Sequence, residues 1–192
     1  MSVAEDKFSA IFEETASGIK RRGAYYQEDA GEKGMALLEA KFKDTKLYWL
    51  VDLKEDRIFS ARFFAYGGKV SLVIGETLCT MVEGLTVDEA CSLLKTDVEV
   101  RLRDDPEVPS VPESKMKAFD TVDELLKIVK EQYPSAKGVA IASASIDKAD
   151  FQSTAELNLV AQAWMGLTKD EQKEQIEVVL DEHIRPALMN DG

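Results

Sequence analysis

Three short apolar segments between residues 35 and 66 constrain this chain more than any other feature. Leu38, Ala40 and Phe42 alternate with Glu39, Lys41 and Lys43, the period-2 pattern of a strand with one buried face. Residues 47–53 and 58–66 follow, rich in aromatic and branched side chains. The turns between them, around Asp44-Thr45 and at 54–57, have hairpin length. Strands joined this way can only pair with their neighbours, so the pattern predicts a three-stranded antiparallel meander.

Helical signals surround it. Ser/Thr-x-x-Glu occurs at Ser2–Glu5, Thr86–Glu89, Thr121–Glu124, Ser153–Glu156 and Thr168–Glu171. Each is a capping box, in which a hydroxyl and a carboxylate satisfy the free backbone donors of a helix start. Apolar stripes at 3-4 spacing follow Thr121 (Val122, Leu125, Leu126, Val129, Tyr133) and Thr168 (Ile176, Val179, Leu180, Ile184, Leu188). A first helix is expected over about 4–22, a shorter one after Thr86, and another opening near Ser71. A helix, a meander and then helices on one face of the sheet make an α+β domain, with further helices at the C-terminal end. Pro134 changes the character of the chain. The expected organisation is a domain over 1–134, a connecting segment over 135–167 and a further helix from 168 to 192, with 138–146 open to a strand reading.

Charge excludes several function classes. The 192 residues carry 36 acidic against 24 basic side chains, a net charge of −12. That field repels phosphate backbones and anionic lipid, so neither nucleic acid nor a membrane is an expected partner. No apolar run reaches the roughly 20 residues of a bilayer span. The first ten residues are acidic and amphipathic, unlike a signal peptide, and a cytoplasmic protein is expected. Two cysteines without a Cys-x-x-Cys pair make neither a disulfide framework nor a thiolate zinc site. Cys79 and Cys91 read as core residues. His183 has no nucleophile to pair with, and phosphate-binding and nucleophile-elbow motifs are missing, so no catalytic residue is expected. Asp104 and Asp105, or Asp44, offer at most a weak hard-cation site.

Two features ask for an explanation. Gly67-Gly68 ends the third strand just before a helix, where paired glycines allow a tight turn or a site built on helix N-terminal donors. Pro106, Pro109 and Pro112 recur every third residue, the repeat of polyproline II, which makes either a stiff connector or an extended segment that docks at little entropic cost.

At these residues the chain resembles the NifU/IscU family of iron–sulfur cluster assembly scaffolds. Lys46-Leu-Tyr-Trp-Leu-Val-Asp52 is similar to the family's second strand, and Arg62-Phe-Phe-Ala-Tyr-Gly-Gly-Lys-Val-Ser71 to its F-K-x-F-G-C-G-x-A motif. Gly84-Leu-Thr-Val-Asp-Glu-Ala90 resembles its G-K-T-V-E-E-A helix start. Val108-Pro-Ser-Val-Pro-Glu-Ser-Lys-Met116 resembles its chaperone-binding L-P-P-V-K segment. Residues 176–192 are similar to the opening of the Nfu-type cluster-carrier domain, and the sequence ends inside that motif. The resemblance implies an iron–sulfur cluster held on three thiolates, which iron favours as soft, charged ligands. Aligned on it, the three cysteine positions are Lys41, Gly68 and Ala118, and Lys43 replaces the accompanying aspartate. The implied protein is therefore a degenerate, non-enzymatic scaffold that binds no cofactor itself and acts through protein–protein interaction. Its implied partners are a cysteine desulfurase near the first helix and a heat-shock-class chaperone at Val108, Pro109, Val111, Pro112 and Lys115, and a homodimer is admitted. The alternative is an anion or small-ligand module in which Lys41, Lys69 and Lys117 converge on the vacated pocket.

Overall fold

The structure, a computed structural model, describes residues 7–165 (backbone alone at residue 32 and over 143–165), together with 168, 169, 172, 173 and 176. Its elements run α1 (Ala10–Ser17), α2 (Gln27–Lys33), β1 (Met35–Phe42), β2 (Thr45–Asp52), β3 (Arg57–Ala65), α3 (Lys69–Val82), α4 (Val87–Cys91), α5 (Lys95–Arg101), a 3₁₀ helix (Glu113–Phe119) and α6 (Asp120–Met165). The sheet is the expected meander, order β1-β2-β3, antiparallel throughout. Leu38 pairs with Trp49 and Trp49 with Ala61. Because side chains alternate, Ala36, Leu38 and Ala40 share one face with Leu47, Trp49, Val51, Ala61 and Phe63, all of them buried. On this face lies α3, whose Val73, Ile74, Leu78 and Cys79 complete the core. The architecture is α+β, as the sequence implies.

Close approach of α3 to the sheet depends on Gly75. A Cβ there would lie 2.2 Å from a ring carbon of Phe63, so any side chain would force the helix off β3. The outer edge of β3 is covered at both ends. Arg21 and Gly23 exchange backbone hydrogen bonds with Phe63, and Gly84 and Leu85 do the same with Ile58. Edge donors and acceptors that would otherwise template another chain are thereby satisfied.

Several elements differ from the sequence reading. The first helix is only Ala10–Ser17, since the chain beyond Gly18 is drawn out along β3 at Arg21–Gly23, and α2 follows it. Thr86 and Glu89 form the expected capping box. Thr121 starts no helix: it is buried inside α6, which continues directly from the 3₁₀ segment. The helix also runs through Pro134 and over the stretch where a strand was open. Its proline is bracketed by two anchors, for the Tyr133 hydroxyl and Lys137 Nζ both donate to Asp56 in the β2–β3 turn. These bonds hold both sides of a position that would ordinarily break a helix. The chain divides into two compact units, Met1–Ala144 and Ser145–Gly192. In the second, the backbone is helical to Met165, and Gln172 N donates to Thr168 O at 2.9 Å. The Ser2–Glu5 box, His183 and most of the Nfu-like stretch lie outside the described residues.

Gly75→Ala should cost about 1–3 kcal/mol through overpacking against Phe63. Urea unfolding would read this as a lower midpoint at unchanged slope, whereas an unmoved midpoint would mean that α3 can lift from β3 freely.

Candidate functional site

The end of β1, the Gly67-Gly68 junction and the 3₁₀ segment are the three places to which the resemblance assigns the cluster ligands. Gly67 is required by contact. A Cβ there would fall 1.7 Å from Asp44 Oδ2 and 2.4 Å from Ser71 Oγ. The Ser71 hydroxyl donates to that carboxylate at 3.1 Å, and Tyr66 N donates to Asp44 O at 3.1 Å. Gly68 has φ +87°, a left-handed conformation that glycine adopts without strain, and it caps α3. The glycine pair thus seats the β1–β2 turn against the start of α3.

The three lysines meet different surroundings. Lys69 is ion-paired with Glu13 on α1 and lies over the rings of Phe8 and Phe12. Lys41 is exposed on the sheet face opposite α3, with Lys46 as its cross-strand neighbour. Lys117 faces Asp120, the aspartate bonded by Lys95 Nζ at 2.6 Å. That bond lowers the Asp120 pKa, helped by the charges of Lys43 and Lys117. The cluster around Asp120 was missed in the sequence, because its members come from three separate segments. Ala118 is half-buried against the core.

Carboxylates elsewhere are committed to the fold. Asp104 accepts Ala10 N at 2.6 Å and Ile11 N at 2.9 Å, and these two amides hold its pKa low. Asp105 accepts Glu107 N within its own turn. Among the described residues, no group of three or more His, Cys, Asp or Glu is placed to hold a metal ion. Cys79 is fully buried in α3, where desolvation drives its pKa well up, and burial pushes the Cys91 thiol up to about 11. Neither thiol is a ready thiolate donor.

The proline segment is fastened at its middle. Ser110 N and Oγ donate to Glu99 Oε1 at 2.8 and 3.0 Å, and Arg103 pairs with the other oxygen at 2.6 Å. Ser110 O accepts Ser9 N at 2.9 Å, and Ser9 caps α1. Val111 is 2% exposed and belongs to the core, while Val108, Pro109 and Lys115 are exposed and Pro112 is intermediate. Two buried carboxylates, Glu99 and Glu76, were not singled out in the sequence. Each stands alone in an apolar run, Val98-Glu-Val100 and Val73–Val82, and that isolation was the available signal. Glu76 accepts Lys20 N and Arg21 N, and pairs with Arg21 Nη1 at 3.1 Å.

The profile of the NifU-like N terminal domain matches residues 22–140, well over half of the chain. The chain belongs to this family. No curated protein matches it. Solved structures similar to this NifU-like chain include a candidate iron–sulfur cluster assembly scaffold protein for the SUF system from thermophilic Fervidobacterium islandicum AW-1. It is 18% identical, with 63% of this chain and 85% of that one covered at a TM-score of 0.36. An N-terminal nitrogen-fixing NifU-like protein from Brucella abortus is 17% identical, covering 75% and 94% at 0.34. A hypothetical protein is 14% identical, covering 73% and 93% at 0.33. Among the described residues no helix of the NifU-like chain is long and apolar enough to cross a membrane.

Glu99 should make stability depend on pH. Desolvation pushes its carboxyl up, but bonds from Arg103 and Ser110 outweigh this and leave its pKa below the ordinary 4.5. A carboxyl lowered on folding stabilises the fold above 4.5, and that contribution disappears as pH falls through the lowered value. Glu99→Gln should therefore lose about 2 kcal/mol near neutrality and respond less to acid as the pH is taken from neutrality to about 3, the difference appearing below 4.5. Urea midpoints across that range test it, and parallel curves for both proteins would contradict it.

Proposed function

We propose that this NifU-like protein works in iron–sulfur cluster assembly as a degenerate scaffold, through protein–protein contacts and without ligating the cluster itself. Membership of the family supports the link to assembly. One observation carries the rest: the three positions that the resemblance assigns to thiolates are Lys41, Gly68 and Ala118, while both thiols are withdrawn, Cys79 fully into α3 and Cys91 half-buried on α4. A lysine ammonium repels iron as a thiolate attracts it, and glycine and alanine offer no donor. The residues present do not fit the cluster as cargo, so no transfer step is assigned to them.

A cysteine desulfurase and a heat-shock-class chaperone are the partners this reading implies. The chaperone contact is narrowed by burial. Val111 is in the core, which leaves Val108, Pro109 and Lys115 as the accessible part of the segment. In the β1-to-α3 region, Asp44 and Ser71 are clasped over Gly67. No observation favours the anion-site alternative, since Lys69 is already paired with Glu13 and Lys117 stands beside Asp120.

Anaerobic reconstitution with iron, cysteine and a desulfurase tests the proposal. The expected result is no stoichiometric iron or sulfide and a featureless visible spectrum, with the desulfurase still retained in a pull-down. A coloured, stoichiometric cluster would overturn it, as would loss of retention of both partners.

A further inference from the structure

The sheet face turned away from α3 is unusual for so acidic a chain. Register places Lys41, Lys46 and Phe64 in one cross-strand row, and Glu39, Tyr48 and Arg62 in the next. Arg22, on the segment along the edge of β3, reaches over the Phe64 ring and so stands at the end of the first row. Four cations therefore stand against one carboxylate, Glu39, which is already paired with Lys46 at 3.1 Å, in a chain of net charge −12. The other end of this face is partly covered: the Tyr25 hydroxyl and Ser60 Oγ are hydrogen-bonded at 2.8 Å and Leu50 is fully buried, while Phe59, with Lys33 over its ring, stays exposed. The cationic end stays open, and Tyr66, stacked on Phe64, is 75% exposed.

Within the fold only part of this arrangement is rewarded, for Lys46 has Glu39 as a partner whereas Lys41 meets it as a like charge. Like charges directly opposite on neighbouring strands, as at Lys41 and Lys46, destabilise a sheet. A lysine on the edge strand β1 guards against edge pairing, but Lys46 lies on the central strand and guards nothing. We infer that this face is a docking surface for an acidic polypeptide segment, its carboxylates meeting Arg22, Arg62 and Lys41 and an apolar side chain resting on Tyr66. Charge complementarity selects the partner's sign, and the rings select its class. Arg22 sits 5.6 Å from the Phe64 ring centre, Arg62 4.7 Å from Tyr25 and Lys46 6.0 Å from Tyr48, so these ring faces are taken by cations and not free to stack on bases. Guanidinium forks held on aromatic faces remain free to bind carboxylates in pairs. The inference stands on the sheet face alone and does not depend on the iron–sulfur reading.

The test uses the whole chain and a fluorescently labelled peptide of Glu-Glu-Leu repeats, followed by anisotropy at low and physiological salt. Binding is expected, weakened about tenfold by R22E with R62E, and weakened also by the single change K41E, which touches no packed side chain. Reversing the exposed Lys127 and Lys130 on α6 to Glu should leave affinity unchanged. Amide shifts on binding should centre on Phe64 and Tyr66. The inference is overturned by no binding, by equal weakening from the α6 reversal, or by tighter binding of a single-stranded oligothymidine. It is overturned too if sedimentation finds a dimer that the reversed variants abolish, since the occupant would then be a second copy.

Discussion

The carboxylate of Glu99 is the group around which the helical side of the molecule is tied. One oxygen takes both donors of Ser110, and the other takes Arg103. Through Ser110 the proline segment reaches the backbone of Ser9, and through Ser9 and Asp104 the start of α1 is capped. A buried charge is tolerable only when each lone pair is used, and here the partners come from α5's own end and from the segment that follows. The consequence is a single knot that sets where α1, α5 and the prolines lie relative to the sheet.

The sheet was legible because its signal is local. Alternation over 38–43 and turns of hairpin length leave a meander as the only simple pairing, and the register follows from the buried face. The helical boundaries were less legible where a long-range bond decides them. The chain past Gly18 leaves its helix because Phe63 and Glu76 take its backbone groups, partners 40 or more residues away in sequence. The helix continues through Pro134, because Asp56 holds the turns on either side of it. A capping box at Thr121 was outvoted by the 3₁₀ segment that runs straight into α6.

The candidate site was legible in part. The Gly67-Gly68 junction was visible, and its reason is contact with Asp44, a residue from another turn. The lysines were visible as charges, but not their partners: Glu13 for Lys69 and Asp120 for Lys117. In the proline segment, period three suggested three equivalent positions, whereas Ser110 and Val111 are drawn inward and only the flanks face solvent. Each miss concerns a side chain whose role is set by something distant in sequence.

The covered flank of β3 also limits what the sheet can become. Fibrous stacking of strands needs two free edges per molecule, one to receive and one to offer. Here Arg21–Gly23 and Gly84–Thr86 occupy the ends of one flank, and among the described residues no strand pairs with the outer side of β1. A sheet open on one side only can join a single other strand. As far as the described residues go, two such molecules meeting edge to edge at β1 would close on each other and stop, a finite pair and not an endless ribbon.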